Sequence, residues 1–167
     1  MQANLQELKE TYSRQTYSVF SINRQQKIAD SQVTFSLAHS VFIIPVFGAA
    51  EITIGGNEFV CEGTTVVHVP AGQTVTYRTL YGRSFDHVNI YYDGIQGDVT
   101  SPIFNAYAFD PQGFDRILDK VLDLEKLNTT PSLDNRVAQI VNGTELIKSM
   151  FLLTNSQKVQ ESMAEAR

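Results

Sequence analysis

The chain has 167 residues, 43% of them apolar and 19% charged, which predicts one folded domain or a domain with an appendage. The formal net charge is −5, which argues against nucleic-acid binding by this chain alone, because phosphate contacts need a local surplus of Lys and Arg. Cys61 is the single cysteine, so an intrachain disulfide and a cysteine-based zinc cluster are both excluded.

The N-terminal segment is polar and carries no apolar signal core. Leu5, Leu8 and Tyr12 fall at helical spacing, so residues 1–16 are predicted to form an arm or a short helix that packs on the following domain. No stretch of the sequence is apolar over the length that a membrane helix needs. We therefore expect a cytoplasmic protein with no membrane partner.

Residues 17–109 are predicted to form a strand-rich domain. Val, Ile, Thr, Phe and Tyr recur in short runs such as VFIIPVF, AEITI and TVVHV, which are separated by turn residues. Gly55 and Gly56 lie between two extended runs, which indicates a tight hairpin. Several short antiparallel strands at this spacing are typical of a β-sandwich or barrel.

Residues 110–167 change to a helical period. Apolar residues from Phe114 onward predict a first helix, with Asp110 and Pro111 as its cap and first turn. Ser132 is predicted to cap a second helix, in which Asn142 and Gly143 weaken the middle. The polar end QKVQESMAEAR is helix-prone and has no terminator, so we expect the chain to continue in the natural protein.

The run from Phe42 to Thr79, FIIPVFGAAEITIGGNEFVCEGTTVVHVPAGQTVTYRT, followed by FDHVNIYYDG, resembles the N-terminal sensing domain of AraC-type transcriptional regulators. The resemblance implies a mainly β fold with C-terminal helices: a cupin-type jelly-roll barrel followed by an amphipathic helix pair. It also implies a small-molecule effector, helices that pair two subunits, and a C-terminal DNA-binding domain of two helix-turn-helix units. DNA would be bound only through that domain, which lies outside this chain.

Metal-binding cupins carry a His-x-His pair, a Glu and a Gly in a first motif, and a further His in a second. When that Gly is aligned on Gly48, the Glu position is Val41 and the histidine pair falls near Phe35 and Leu37, or near Thr34 and Ser36 with the shorter spacing. The histidine of the second motif falls at Val75. A catalytic metal needs about three converging protein ligands, so we expect neither a metal nor another cofactor, and no enzymatic activity.

The strand SFDHVNIYYDG can be placed in two ways. One of its faces carries Phe85, His87, Asn89 and Tyr91, and the other carries Val88, Ile90 and Tyr92. Burial of the apolar face is the ordinary arrangement and would leave His87 and Asn89 in solvent, whereas the opposite arrangement would line a pocket. His39 and His68 are interpreted as hydrogen-bonded or half-exposed side chains.

A second strand is easier to orient. If Val75 keeps the inward position of the missing ligand, Tyr77 also points inward, either to pack the barrel or to orient a ligand through its hydroxyl. The candidate pocket residues are Phe35, Leu37, Val75, Tyr77, His87, Asn89 and Tyr91.

The apolar stripes of the two helices are wider than one barrel face requires. They would pack the helices on each other and on the barrel, form a dimer seam, or do both. Leu146, Met150, Leu152 and Leu153 add apolar surface beside the main stripe, which favours a homodimer. The candidate dimerisation residues are Ile117, Val121, Val137, Ile140, Val141, Ile147 and Phe151.

Three functions follow from these patterns. The favoured one is an effector-sensing and dimerisation domain, in which a ligand in the barrel changes how the helices or the N-terminal arm dock. The alternatives are a small cupin enzyme, such as a relative of sugar isomerases or dioxygenases, and a structural dimerisation module with a filled barrel.

Overall fold

The computed structural model describes residues 5–14, 17–94 and 105–152. Its helices are α1 (Leu5–Arg14), α2 (Phe114–Lys126) and α3 (Leu133–Leu152), with a 3-10 turn at Leu127–Thr129 between the last two. Its strands are β1 (Tyr17–Lys27), β2 (Gln32–Ser36), β3 (Ser40–Phe47), β4 (Ala49–Ile54), β5 (Asn57–Glu62), β6 (Val66–Val69), β7 (Thr74–Thr79), β8 (Phe85–Gly94) and β9 (Tyr107–Phe109). No described helix meets the length and apolarity that a membrane span requires.

The strands form two antiparallel sheets. One has the order β1-β8-β3-β6-β9 and the other has the order β2-β7-β4-β5. Apolar side chains from both sheets meet in one buried cluster, which includes Ile43 and Val67 from the first sheet and Ile52 and Val75 from the second. The predicted fold class is confirmed: a mainly β jelly-roll barrel followed by helices.

Glycines make the sharp turns between strands, as the sequence indicated. Gly55 has a φ of 63° in the hairpin that joins β4 to β5, a conformation that glycine adopts without a Cβ clash. Gly48, between β3 and β4, has a φ of 78°, and a Cβ placed there would collide with the carbonyl oxygen of Ser84. The chain can therefore cross closely above Ser84 only with glycine at this position.

All three helices pack on the outer face of the five-stranded sheet, where a second buried cluster forms. Leu8 of α1, Ile117 of α2 and Ile147 of α3 are at most 1% exposed in this cluster. Gly143 lies where α3 crosses β1, because a Cβ there would approach the side chains of Val19 and Ile22 to 3.1–3.3 Å. The glycine that was expected to weaken α3 lets the helix approach the sheet closely.

One helix cap was predicted correctly and one was wrong. At the start of α3, the Ser132 hydroxyl accepts a hydrogen bond from the backbone N–H of Asn135 at 3.0 Å, as expected for a capping residue. Asp110 does not cap α2, because its carboxylate accepts hydrogen bonds from the hydroxyls of Thr64 and Thr65. The N-cap position of α2 is Gly113.

The helical residues proposed for dimerisation divide into two groups. Four are at most 1% exposed inside the outer cluster of this chain: Ile117, Val121, Ile147 and Phe151. Ile140 is half-buried, while Val137 and Val141 are 50% and 54% exposed. Leu146 and Met150 are also buried in the chain's own core, so they do not provide the surface that favoured a homodimer. The Leu152 side chain and Leu153 lie outside the described residues.

Candidate functional site

Strand β8 is buried on both faces, which the sequence interpretation did not anticipate. Phe85, His87 and Asn89 point into the barrel and are at most 1% exposed, whereas Ile90 and Tyr92 point into the cluster beneath the helices. Of the two placements left open by the sequence, the one that leaves His87 and Asn89 in solvent does not hold. The helices cover the outer face, so the polar and aromatic face becomes an inner wall of the barrel.

A chain of hydrogen bonds runs along this inner wall. Lys27 Nζ lies 3.0 Å from Gln25 Oε1 and 3.1 Å from His87 Nε2. His87 Nδ1 lies 2.7 Å from Asn89 Oδ1, and the Asn89 amide donates to the Tyr91 hydroxyl at 3.0 Å. The Gln25 amide donates to the same hydroxyl at 2.9 Å, which closes the ring of contacts. Pairing of β1 with β8 places Gln25 opposite His87 and so creates this wall.

Lys27 is 7% exposed and lies between two aromatic rings. Its Nζ is 4.6 Å from the centroid of the Tyr77 ring and 5.3 Å from that of Phe35, both within cation–π range. Among the described residues, no carboxylate forms an ion pair with it. Burial lowers the pKa of Lys27 to about 8. Burial and the neighbouring Lys27 charge lower the pKa of His87 to about 4, so this imidazole is neutral at pH 7.

A cavity of about 210 Å³ opens beside the wall. Its lining residues are Gln25, Phe35, Ser36, Leu37, Ala38, His39, Tyr77 and Tyr91. Four of the predicted pocket residues are therefore brought together at this cavity: Phe35, Leu37, Tyr77 and Tyr91. His87, Asn89 and Val75 lie behind the lining, the first two in the hydrogen-bonded wall and Val75 in the apolar core.

The rest of the barrel interior is apolar. Val41 and Ile43 of β3 lie beside β8, and Ile52 and Ile54 of β4 come from the opposite sheet. Cys61 is fully buried, and burial raises its thiol pKa, which fits the expectation of a core residue. The interior thus has one polar, donor-rich wall facing apolar walls.

Sequence reasoning missed Lys27 and Gln25. The segment SINRQQK lacks the apolar alternation that marks a half-buried strand, so its inward face could not be recognised. A register shift between Val19 and Ser21 also changes which residues of β1 face inward. The one available signal was that Gln25 and Lys27 lie two residues apart and so share a face.

The positions aligned with cupin metal ligands carry no metal-binding side chains. Val41 and Val75 are fully buried in the apolar core, while Phe35 and Leu37 line the cavity. Within the described residues, no group of three or more His, Cys, Asp or Glu side chains is placed to hold a metal ion. His39, at the cavity rim, lies 2.7 Å from an Asp93 oxygen and stacks on the ring of Phe20.

The outer face of the sheet carries a network of buried hydroxyls. The Tyr12 hydroxyl lies 2.7 Å from that of Tyr92 and 2.8 Å from that of Tyr107. His68, fully buried, places Nε2 2.6 Å from the Tyr92 hydroxyl and Nδ1 2.8 Å from the carbonyl oxygen of Asn105. Burial lowers the pKa of His68 to about 3. This network joins α1 to three strands of the sheet.

A larger groove lies between α2 and α3, with a volume of about 330 Å³. Its lining includes Lys120, Asp123 and Glu145, and the last two form solvent-exposed ion pairs with Lys126 and Lys148. The barrel cavity, by contrast, adjoins a buried cation and aromatic rings, which are features of ligand sites. We therefore take the barrel cavity as the candidate site.

No family model and no curated protein sequence matches the chain. Among solved structures, ToxT from Vibrio cholerae, an AraC-family regulator solved with an unsaturated fatty acid bound, gives a TM-score of 0.50 at 11% identity. The match covers 83% of this chain, which spans about half of ToxT (53%). The putative ethanolamine utilization protein Q from Salmonella typhimurium gives a TM-score of 0.39 at 10% identity, over 47% of this chain and 69% of that one.

The cupin domain of Cnp3 from Schizosaccharomyces pombe gives a TM-score of 0.40 at 14% identity, over 47% of this chain and 62% of that domain. At these identities the likenesses concern the fold. The ToxT match extends over more of this chain than the other two do.

Proposed function

We propose that this chain is the effector-sensing and dimerisation domain of an AraC-type transcriptional regulator. The observation that carries the proposal is the hydrogen-bonded inner wall beside the 210 Å³ barrel cavity. Polar groups in a barrel interior cost stability unless they are paired, so a barrel that served only as a scaffold would be expected to fill its interior with apolar side chains. DNA recognition would belong to a part of the protein outside these 167 residues.

The ToxT likeness supports the proposal at the level of fold. That protein was solved with an unsaturated fatty acid bound, so a protein of similar fold holds a small molecule. The match covers 83% of this chain, which is more than the strand-rich part alone, and so fits a sensing domain coupled to a helical region. The seven candidate pocket residues named from the sequence stay candidates for ligand contact.

Strand β8 offers a route from the cavity to the helices. Tyr91 lines the cavity, and the next residue, Tyr92, bonds to Tyr12 of α1 on the other face. The Tyr12 ring stacks on that of Phe151 in the last turn of α3, with centroids 4.3 Å apart. A ligand that displaces Tyr91 would shift β8 and, through Tyr92, bias the docking of α1 and α3. Such a shift requires that the ligand bind one docking state more tightly than the other.

The exposed apolar stripe on α3 is the proposed dimer surface. Leu133, Val137 and Val141 follow one another at four-residue spacing, with exposed fractions of 79%, 50% and 54%. Residues four apart lie on one helix face, so a second copy could bury the row against its own. The buried helical residues would support the interface from behind without contacting the partner.

Hydrogen exchange with and without a bound small molecule tests the coupling. A polyol and carboxylate panel is first screened for ligands that perturb the Tyr77 and Tyr91 ring resonances. A ligand found this way should change amide protection in α1 and α3 as well as in the barrel. Unchanged protection in both helices would reject the sensing mechanism. For dimerisation, sedimentation of the native chain should show a dimer that Val141→Asp converts to a monomer, and a native monomer would reject it.

A further inference from the structure

The inner wall of the barrel has a surplus of hydrogen-bond donors. Lys27 can only donate, so Gln25 Oε1 and His87 Nε2 must both accept from it. With Nε2 accepting, the neutral imidazole carries its proton on Nδ1 and donates to Asn89 Oδ1. The strong acceptors of Gln25, His87 and Asn89 are thereby engaged by donors within the wall.

The remaining capacity of the wall is mainly for donation. The Tyr91 hydroxyl accepts from both amides, which leaves its own proton free to donate. Lys27 has three N–H groups, and the two contacts above engage two of them. Tyr91 and Gln25 line the cavity, and Lys27 lies directly behind Gln25 and Tyr77. A ligand at this end of the cavity therefore meets the donors of Tyr91 and Gln25, with the Lys27 charge one side chain behind the lining.

The charge of Lys27 is not balanced by an ion pair in the described parts of the chain. Its nearest neighbours are the amide of Gln25, the imidazole of His87 and the rings of Phe35 and Tyr77. The titratable groups that face it are His87 from β8 and Tyr77 from β7; burial lowers the pKa of the first and raises that of the second. Both are uncharged at neutral pH, so a ligand anion would be the counter-charge that the site lacks.

The cavity limits the size of that anion. Its volume of about 210 Å³ lies below the range of roughly 300–1,000 Å³ for drug-sized pockets, which favours a small ligand. Phe35, Leu37 and Tyr77 provide apolar walls for the body of the ligand. A short aliphatic or single-ring acid fits this space.

We propose that the effector is a small organic monocarboxylate, whose carboxylate is held by Tyr91 and Gln25 with Lys27 as its counter-charge and whose apolar body lies against Phe35 and Tyr77. This inference rests on the proposed sensing function and specifies its ligand class. It also assigns Lys27 the role of a binding residue. A neutral analogue of the same shape would lose the charge interaction while keeping the apolar contacts.

Calorimetric titration of the full chain tests the assignment with matched probes: benzoate and hexanoate, their neutral amides, and the polyols arabinose and xylitol. We expect the carboxylates to bind at least tenfold more tightly than their amides. Lys27→Met should remove at least that factor for the carboxylates and change amide binding less than twofold. Arg24→Met is the control, because Arg24 pairs with Asp86 on the outside of the same strand. It should leave all affinities within twofold.

A measurement on the unaltered protein covers the case in which Lys27→Met fails to fold. Carboxylate binding should raise the pKa of Lys27 from its free value of about 8, so binding at pH 8.5 should take up protons. Affinity should fall as the pH rises above 8, by up to tenfold per unit. Proton uptake is read from the dependence of the binding heat on the ionisation enthalpy of the buffer.

The outcomes separate the ligand class from the sensing function. Equal affinity for carboxylate and amide, or binding without proton uptake, would overturn the carboxylate assignment. Polyols that perturb the Tyr77 and Tyr91 rings while carboxylates do not would also overturn it, yet would leave the sensing proposal standing. If no probe of either class perturbs these rings, both proposals fail.

Discussion

The five-stranded sheet has two buried faces that differ in chemistry. Its outer face joins aromatic and aliphatic side chains to three helices, and its polar groups form a closed network around Tyr92. Its inner face carries Lys27 and His87 beside a cavity. The outer face is arranged as a core, whereas the inner face keeps polar groups near open space, as binding sites do. Burial alone therefore does not distinguish a core residue from a site residue.

The largest expected effect lies on the outer face. Phe42 is fully buried and its ring packs against those of Tyr12, Tyr92 and Phe151. Phe42→Ala should lower the free energy of unfolding by about 3–5 kcal/mol, because it removes a large side chain and leaves a cavity. Urea denaturation measures the loss. Phe47→Ala, at a residue that is 53% exposed, is the matched control and should change stability by less than about 0.5 kcal/mol.

Acid should destabilise the fold through a histidine on each face. The folded-state pKa values are about 3 for His68 and about 4 for His87, against about 6.5 for an unfolded histidine. Below pH 6.5 the unfolded chain binds more protons than the folded chain, so the free energy of unfolding falls as the pH falls. Each histidine contributes about 1.4 kcal/mol per pH unit until its folded pKa is reached.

Urea denaturation at pH 6.5, 5.5 and 4.5 measures how steeply the free energy of unfolding falls with pH. His68→Gln and His87→Gln should each reduce this dependence by about one proton. If either variant leaves the pH dependence of the unfolding free energy unchanged, the corresponding imidazole is not held neutral in the folded protein. The stated role of that histidine on its face of the sheet would then be contradicted.

Substitution of the adjacent residues Tyr91 and Tyr92 tests the two faces of β8 in one strand. The Tyr92 hydroxyl bonds to Tyr12 and His68 in a fully buried network, so Tyr92→Phe should cost about 1–3 kcal/mol by leaving buried partners unpaired. The Tyr91 hydroxyl adjoins the cavity, where water can replace it, so Tyr91→Phe should cost less than about 1 kcal/mol. Thermal and urea unfolding measure both. A reversed order would contradict the assignment of core and site faces.

The smallest effect is expected on the exposed side of α3. Val137 is 50% exposed, so Val137→Ala should change the stability of the isolated domain by less than about 0.5 kcal/mol. Ile147→Ala on the buried side of the same helix should cost about 2–5 kcal/mol. Measured at low protein concentration, this pair separates the intrachain core from the proposed dimer surface. A cost above 1 kcal/mol for Val137→Ala would show that the stripe is covered within the chain.

Much of the barrel could be predicted from local patterns. Alternating apolar residues marked β4, and the Gly55-Gly56 pair marked the hairpin to β5, because strand pleat and turn geometry act over a few residues. Ser132 marked the start of α3 for the same reason. The inward direction of Val75 and Tyr77 was predicted from the position of the second cupin motif, and the two side chains are 0% and 3% exposed.

The candidate site could be predicted only in part. The orientation of β8 stayed open between two placements because the alternation rule assumes one solvated face, and here helices cover the face opposite to the barrel. The helical stripes raised a similar ambiguity. A periodic apolar face reveals that a helix is covered, but Ile117 and Val137 carry the same pattern and differ in burial.

The sequence by itself indicated a strand-rich domain and a following helix pair, because periodicity and turn residues act locally, while the jelly-roll form was implied by the resemblance to AraC-type sensing domains. The tertiary structure alone decided that Lys27 and Gln25 face His87 and Asn89, and that both faces of β8 are buried. Those placements depend on the pairing of β1 with β8, strands whose paired residues lie about sixty or more positions apart in the chain. Whether a face of these two paired strands meets solvent depends on which elements pack against it. That is a non-local property, which no short segment encodes.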